Sequence, residues 1–101
     1  MMKVQNMTSP KTGREVANQF IIEDTDNEIT VFQSYQSTII EIDRNNLVIT
    51  VHENWNYSST TSKYRNKFMD DEGFYELANK KDFEKYMEVG TYKNFKIIKA
   101  F

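Results

Sequence analysis

From Lys3 to His52 polar and apolar residues alternate with a period of two, interrupted only by clusters of Pro, Gly, Asn, Asp and Ser. That period belongs to half-buried strands, because successive strand side chains point to opposite faces; a helix would scatter the same residues around its circumference. The first half of the chain is therefore expected to be an antiparallel sheet of about five strands. Lys3 to Met7 and Glu15 to Glu23 read as a hairpin turning at Ser9-Pro10-Lys11-Thr12-Gly13, where Pro10 fixes φ and Gly13 carries no Cβ. In the returning arm Val16, Asn18, Phe20 and Ile22 share a mainly apolar face opposite Ala17, Gln19 and Ile21. After a turn at Asp24 to Asn27 come strands over Glu28 to Gln33, Thr38 to Asp43 and Leu47 to His52, the last two joined through Arg44-Asn45-Asn46.

Beyond Trp55 the period changes. Ser58 to Ser62 offers several N-caps for a short helix over Lys63 to Met69, with Tyr64 and Phe68 on one face at i, i+4. Asp70 to Gly73 reads as a loop, and Phe74 to Ala78 is ambiguous with a helical leaning. Asn79 caps a second helix through Val89, with Asp82 in its first turn, Gly90 past its end and an apolar stripe of Phe83, Tyr86 and Met87. The tail returns to strand character, with Tyr92, Phe95, Ile97 and Ile98 as core candidates. The expected fold is α+β: a small antiparallel sheet, one or two short helices towards the C-terminus and a closing strand, in one domain over residues 1–101. Only 39% of the residues are hydrophobic, so the 14% that are aromatic have to fill most of a thin core.

The same composition removes most common catalytic equipment. Without cysteine there is neither a disulfide nor a thiolate metal site. A Ser-His-Asp reading would have to use Ser58 or Thr60 with the single histidine, His52, and Asp43, but no nucleophile-elbow glycines surround either hydroxyl. His52 is expected simply at a strand end beside Glu53. Asp24-Thr25-Asp26-Asn27-Glu28 opens like a calcium loop, yet the sixth position is Ile29 and the twelfth is Tyr35, so a polar turn is the better reading. Three glycines, Gly13, Gly73 and Gly90, form no phosphate-binding pattern. No catalytic residue, cofactor or metal is assigned, and the chain is read as a non-enzyme. No stretch has the roughly 18 apolar residues of a membrane span, and Met1 to Asn6 lacks the apolar core of a signal peptide.

The net charge of -2 is a cancellation of blocks. Residues 1 to 22 carry +2, 23 to 53 carry -6, 54 to 69 carry +3, 70 to 88 carry -4 and 89 to 101 carry +3. The island of Lys63, Arg65 and Lys67 thus lies between acidic neighbours, Asp70-Asp71-Glu72 among them. A solvated surface of mixed sign accounts for such blocks; so does a partner surface. In the segment from Trp55 to Lys67, aromatics alternate with cations, the residue types that dominate protein hot spots and also stack bases and pair phosphates. Trp55, Tyr57, Lys63, Tyr64, Arg65, Lys67, Asp70, Asp71 and Glu72 are the candidate partner-binding residues. Against this stands a structural role in which Trp55 lies on the sheet, Tyr64 and Phe68 face inward, and the three cations form the exposed side of a helix.

Three runs carry a resemblance: Met7-Thr8-Ser9-Pro10-Lys11-Thr12-Gly13-Arg14-Glu15-Val16-Ala17-Asn18-Gln19-Phe20, then Phe32-Gln33-Ser34-Tyr35-Gln36-Ser37, then Trp55-Asn56-Tyr57-Ser58-Ser59-Thr60-Thr61-Ser62-Lys63-Tyr64-Arg65-Asn66-Lys67-Phe68. In this order the chain resembles a family of short proteins of tailed phages and mobile genetic elements whose activity is not settled. Asp70 to Ala78 is longer here than in that pattern. The resemblance implies a setting in host cytoplasm and a stoichiometric mode of action. The leading expectation is an accessory protein that binds a host protein, for example a defence nuclease, as an inhibitor of a host defence system such as CRISPR. A small nucleic-acid binder using the Trp55–Lys67 segment comes second, and a structural or virion-associated subunit third.

Overall fold

A computed structural model describes residues 1–101 and is α+β, as expected. Its strands are β1 (Met2–Thr8), β2 (Glu15–Asp24), β3 (Ile29–Ser34), β4 (Ser37–Asp43), β5 (Val48–His52), β6 (Thr91–Tyr92) and β7 (Phe95–Ala100). The helices are α1 (Ser59–Asp71) and α2 (Lys80–Val89), with 3-10 turns at Glu53–Asn56 and Tyr75–Leu77. All seven strands form one sheet in the order β1-β2-β3-β4-β5-β7-β6, two more than the five expected of the sheet, because the closing strand joins it and is divided into β6 and β7. The pairing is antiparallel except between β5 and β7. A parallel neighbour requires a long crossover, and the segment holding α1 and α2 provides it.

Cross-strand partners share a face, so the register defines two sides of the sheet. The row Thr30, Ile42, Ile49, Ile97 and the row Ile21, Phe32, Ile40, Val51 are buried under the helices. From the helical layer Tyr64, Phe68, Met69, Phe83 and Met87 meet them, with Phe68 stacked on Phe32 at 5.6 Å between ring centroids. A second aromatic group closes the far end, where Phe74 packs against Phe95 and Tyr92 at 5.1 and 5.9 Å, and Tyr92 against Tyr86 at 5.2 Å. The opposite face has no layer on it. Its central row runs Val4, Ile22, Val31, Glu41, Thr50, Ile98, with Ile98 39% exposed, where the alternation places it in the core.

Two irregularities change the side-chain parity. Between the pairs Asn6–Phe20 and Thr8–Glu15, β1 advances two residues and β2 five, and Asn18 sits in the left-handed region at φ 65°. Asparagine tolerates that conformation better than most residues. As a result Val16, Gln19 and Ile21 all turn to the core, while Phe20 and Ile22 are only half-buried; the single apolar face expected for Val16, Asn18, Phe20 and Ile22 does not exist. The second bulge lies between Phe32–Ile40 and Gln33–Thr38 and allows successive isoleucines, Ile39 and Ile40, to be buried together.

The hairpin turns after β2 and β4 use one device twice. Asp24 accepts from the backbone N–H and side-chain amide of Asn27, and Asp43 accepts from the same groups of Asn46. Each turn then passes through a left-handed residue, Glu28 and Leu47 at φ 55° and 56°. Both residues are therefore turn positions, not the strand starts expected, and the left-handed conformation falls on Leu47 and not on Asn45 or Asn46. Helix α1 starts four residues earlier than its apolar spacing indicates, because Ser58 caps it by accepting the Thr61 N–H at 3.1 Å. It also continues through Asp70 and Asp71, which the sequence places in a loop. Asn79 and the left-handed Gly90, at φ 87°, bound α2 as predicted.

Candidate functional site

The basic island does not assemble into a surface. Tyr64 and Arg65 lie on the buried side of α1, and Arg65 is wholly inaccessible. Its guanidinium is 5.3 Å from the ring centre of Trp55 and 4.9 Å from that of Phe83, and these two rings stack on each other at 5.5 Å. It donates to Trp55 O at 2.6 Å and Asn66 Oδ1 at 3.1 Å, leaving its Nε without a partner. Burial pushes the guanidinium down to about 10, with Glu84 acting the other way, so it stays charged at neutral pH. The expectation of an exposed Arg65 is thus corrected: a buried planar cation packed beside two stacked aromatic rings is a packing element. Lys67 pairs with Asp71 one turn on at 2.7 Å, and Lys63 remains exposed above the Tyr64 ring.

The acidic candidates also separate. Glu72 pairs with Arg44 at 3.0 Å, tying the end of α1 to the β4–β5 turn, and the same guanidinium bonds Thr30 Oγ1 and lies over Phe74. Asp71 is taken by Lys67, and Asp70 is exposed. Trp55 is half-buried against the core. Of the aromatics in the segment only Tyr57, 74% exposed, is fully presented to solvent.

Tyr57 instead belongs to an open cleft of about 800 Å³, the larger of two in the protein. It lies between the start of α1 and the β3–β4 hairpin, lined by Asn18, Phe20, Ser34, Tyr35, Gln36, Ser37, Ile39, Asn54, Tyr57, Ser58 and Thr61. None of these is an acid, a base or a cation. Some of the polar groups are satisfied internally: Ser34 Oγ and Thr61 Oγ1 share a hydrogen bond of 2.9 Å, Ser58 Oγ donates to Thr61 Oγ1, and Asn54 Nδ2 donates to Ser37 Oγ at 3.1 Å. These bonds hold the hydroxyl wall in place and leave Asn54 Oδ1 free to accept. Sequence reasoning reaches only Tyr57 of this set. The others come from β2, β3, β4, the 3-10 turn and α1, and no spacing in the chain signals their convergence.

The strongly perturbed titrating groups lie elsewhere and reflect structural bonds. Tyr92 donates to Glu76; burial above all, and then that carboxylate, push the phenol up to about 12, while the hydrogen bond holds Glu76 below the usual carboxylate range. His52, at the end of β5, meets Glu41 Oε2 at 2.6 Å, so it is not directed to Asp43. The Asp24–Glu28 segment is a hairpin turn whose first carboxylate is spent on Asn27. No helix is long and apolar enough to cross a membrane.

Against known proteins, the profile of a family of unknown function, DUF8033, matches residues 2–85. No curated protein and no solved structure matches the chain.

Proposed function

This chain belongs to DUF8033, a family of unknown function, and from that premise we propose that it is a non-enzymatic accessory protein that works by binding another protein. The observation that carries the reading is the lining of the cleft. Tyrosine, asparagine and serine dominate it, the composition of adaptable recognition surfaces: tyrosine supplies large rigid contact area with little entropy loss, and short polar side chains supply hydrogen bonds. The absence of any acid, base or cation among the lining residues leaves binding as the work this cleft is equipped for. The phage-like sequence pattern adds the setting: the protein acts in host cytoplasm on a host protein, inhibiting a defence system such as a CRISPR nuclease.

A nucleic-acid reading has less to rest on. It needs Lys63, Arg65 and Lys67 together, but Arg65 is buried and Lys67 is paired with Asp71. The test is size-exclusion co-elution of the full chain with purified host defence effectors. A stable complex with one of them, weakened by Tyr57→Ala, is the expected result. A chain that joins none of them but shifts nucleic acid at physiological salt would overturn the reading.

A further inference from the structure

The wall of the cleft contains a conformational anomaly. Tyr35 and Gln36 form the whole loop of the β3–β4 hairpin, since Ser34 and Ser37 are paired. Two-residue hairpin loops begin with glycine or asparagine because the first loop residue must take a positive φ. Here that position, at φ 57°, is held by a tyrosine, as it is by Lys93 at φ 53° in the β6–β7 hairpin. The strain is clamped on both sides: the Tyr35 N–H donates to Asn18 O at 2.7 Å, and Gln33 Nε2 donates to Tyr35 O at 2.8 Å. Asn18 is itself left-handed, so two strained residues, hydrogen-bonded to each other, form one side of the cleft. The tyrosine keeps 45% of its surface exposed, so much of the ring is open to solvent. Held there, the ring presents a large aromatic face to the cleft that the protein itself leaves partly uncovered.

Resting on the binding role above, we infer that the occupant of this cleft is an uncharged, extended peptide segment of the partner, gripped between Tyr35 and Tyr57. The free groups along the cleft are the amides of Asn18 and Gln36 and the Asn54 Oδ1. A primary amide offers one donor face and one acceptor, the complement of the N–H and C=O of a peptide unit. A charged segment would find no counter-ion among the lining residues and would lose hydration without compensation. A saccharide is less suited, because its hydroxyls donate best to carboxylates, and none lines the cleft.

The probe is a displayed library of random linear heptapeptides, panned on the immobilised full chain, with the enriched peptide synthesised and titrated by calorimetry. Enrichment of peptides without net charge is expected, with a Kd that changes less than about twofold between low and high salt. Tyr57→Ala should weaken binding by about tenfold or more, as loss of an aromatic anchor does. Tyr35→Gly is the sharper variant: it should weaken binding to a similar degree while raising the thermal midpoint, since glycine relieves the positive φ. Charged peptides with steep salt dependence, no enrichment, or equal affinity for Tyr57→Ala and the natural chain would overturn the inference, as would a neutral oligosaccharide array that captures the protein through Tyr57. A host protein that co-elutes equally with the natural chain and Tyr57→Ala would remove this inference and leave the broader binding role standing.

Discussion

Arg65 divides a surface role from a structural one. Truncation to alanine removes two methylenes, worth about 0.8 kcal/mol each, the guanidinium packed on Trp55 and Phe83, and a charge-assisted bond to Trp55 O worth about 1.5–3 kcal/mol. Part of this is offset, because the unfolded chain no longer has to dehydrate a guanidinium whose Nε is unpaired in the fold. We expect Arg65→Ala to lose about 3 kcal/mol, a fall of roughly 12–24 °C in the midpoint of a domain this size. Arg65→Met keeps most of the volume and removes the buried charge, leaving Trp55 O and the partly exposed Asn66 Oδ1 without their donor, and should lose about 1 kcal/mol. Urea titration followed by the emission of Trp55, the single tryptophan, reads both variants directly, and an unchanged m-value would confirm that the folded states are comparable. An alanine variant that loses less than about 1 kcal/mol would refute the reasoning, because a side chain in solvent costs that little to truncate.

Three further outcomes follow from buried or strained positions. Gln19 is fully buried with neither Oε1 nor Nε2 bonded, so Gln19→Leu should raise stability by about 1–2 kcal/mol in urea titration; a loss would mean the amide has a partner. Gly90 ends α2 at φ 87° with open space where a Cβ would stand, so Gly90→Ala should lose about 1 kcal/mol from backbone strain alone, with no steric clash to add. Asp24 and Asp43 are held below their ordinary value of 3.8 chiefly by the side-chain amides of Asn27 and Asn46. Folding therefore gains from both carboxylates above the unfolded value and loses that gain as pH falls through the lower folded value. The urea midpoint should drop on acidification from about pH 5 to pH 3, and a double Asp24→Ser, Asp43→Ser variant, whose hydroxyls still cap the turns, should show a shallower drop.

If the cleft is the binding site, the sheet supplies its rigidity. Hydrogen-bonded strands fix Asn18, Ser34 and Ser37, the capped start of α1 fixes Ser58 and Thr61, and only Tyr57 projects freely from the segment before that helix. A recognition surface built on such elements needs little reordering when a partner arrives, which limits the entropic cost of association.

Local rules in the sequence account for much of the architecture. The alternation from Lys3 to His52 marks five strands, because a period of two has one regular solution, and Asn79 and Gly90 bound α2, because capping depends on residues adjacent in the chain. Fold class could be read for the same reason. The sequence also fits more than one placement of Trp55 and the cations that follow it. On an isolated helix Lys63 and Arg65 look alike, and only Phe83, eighteen positions on, turns Arg65 into a buried cation; Lys67 is claimed by Asp71 within the same helix, once α1 extends that far. The faces of β2 depend on a bulge and a left-handed Asn18 that strand parity does not encode. The cleft depends on tertiary structure most of all, since its walls come from five separate elements, and their convergence is set by the docking of the start of α1 beside the β3–β4 hairpin and not by any spacing along the chain.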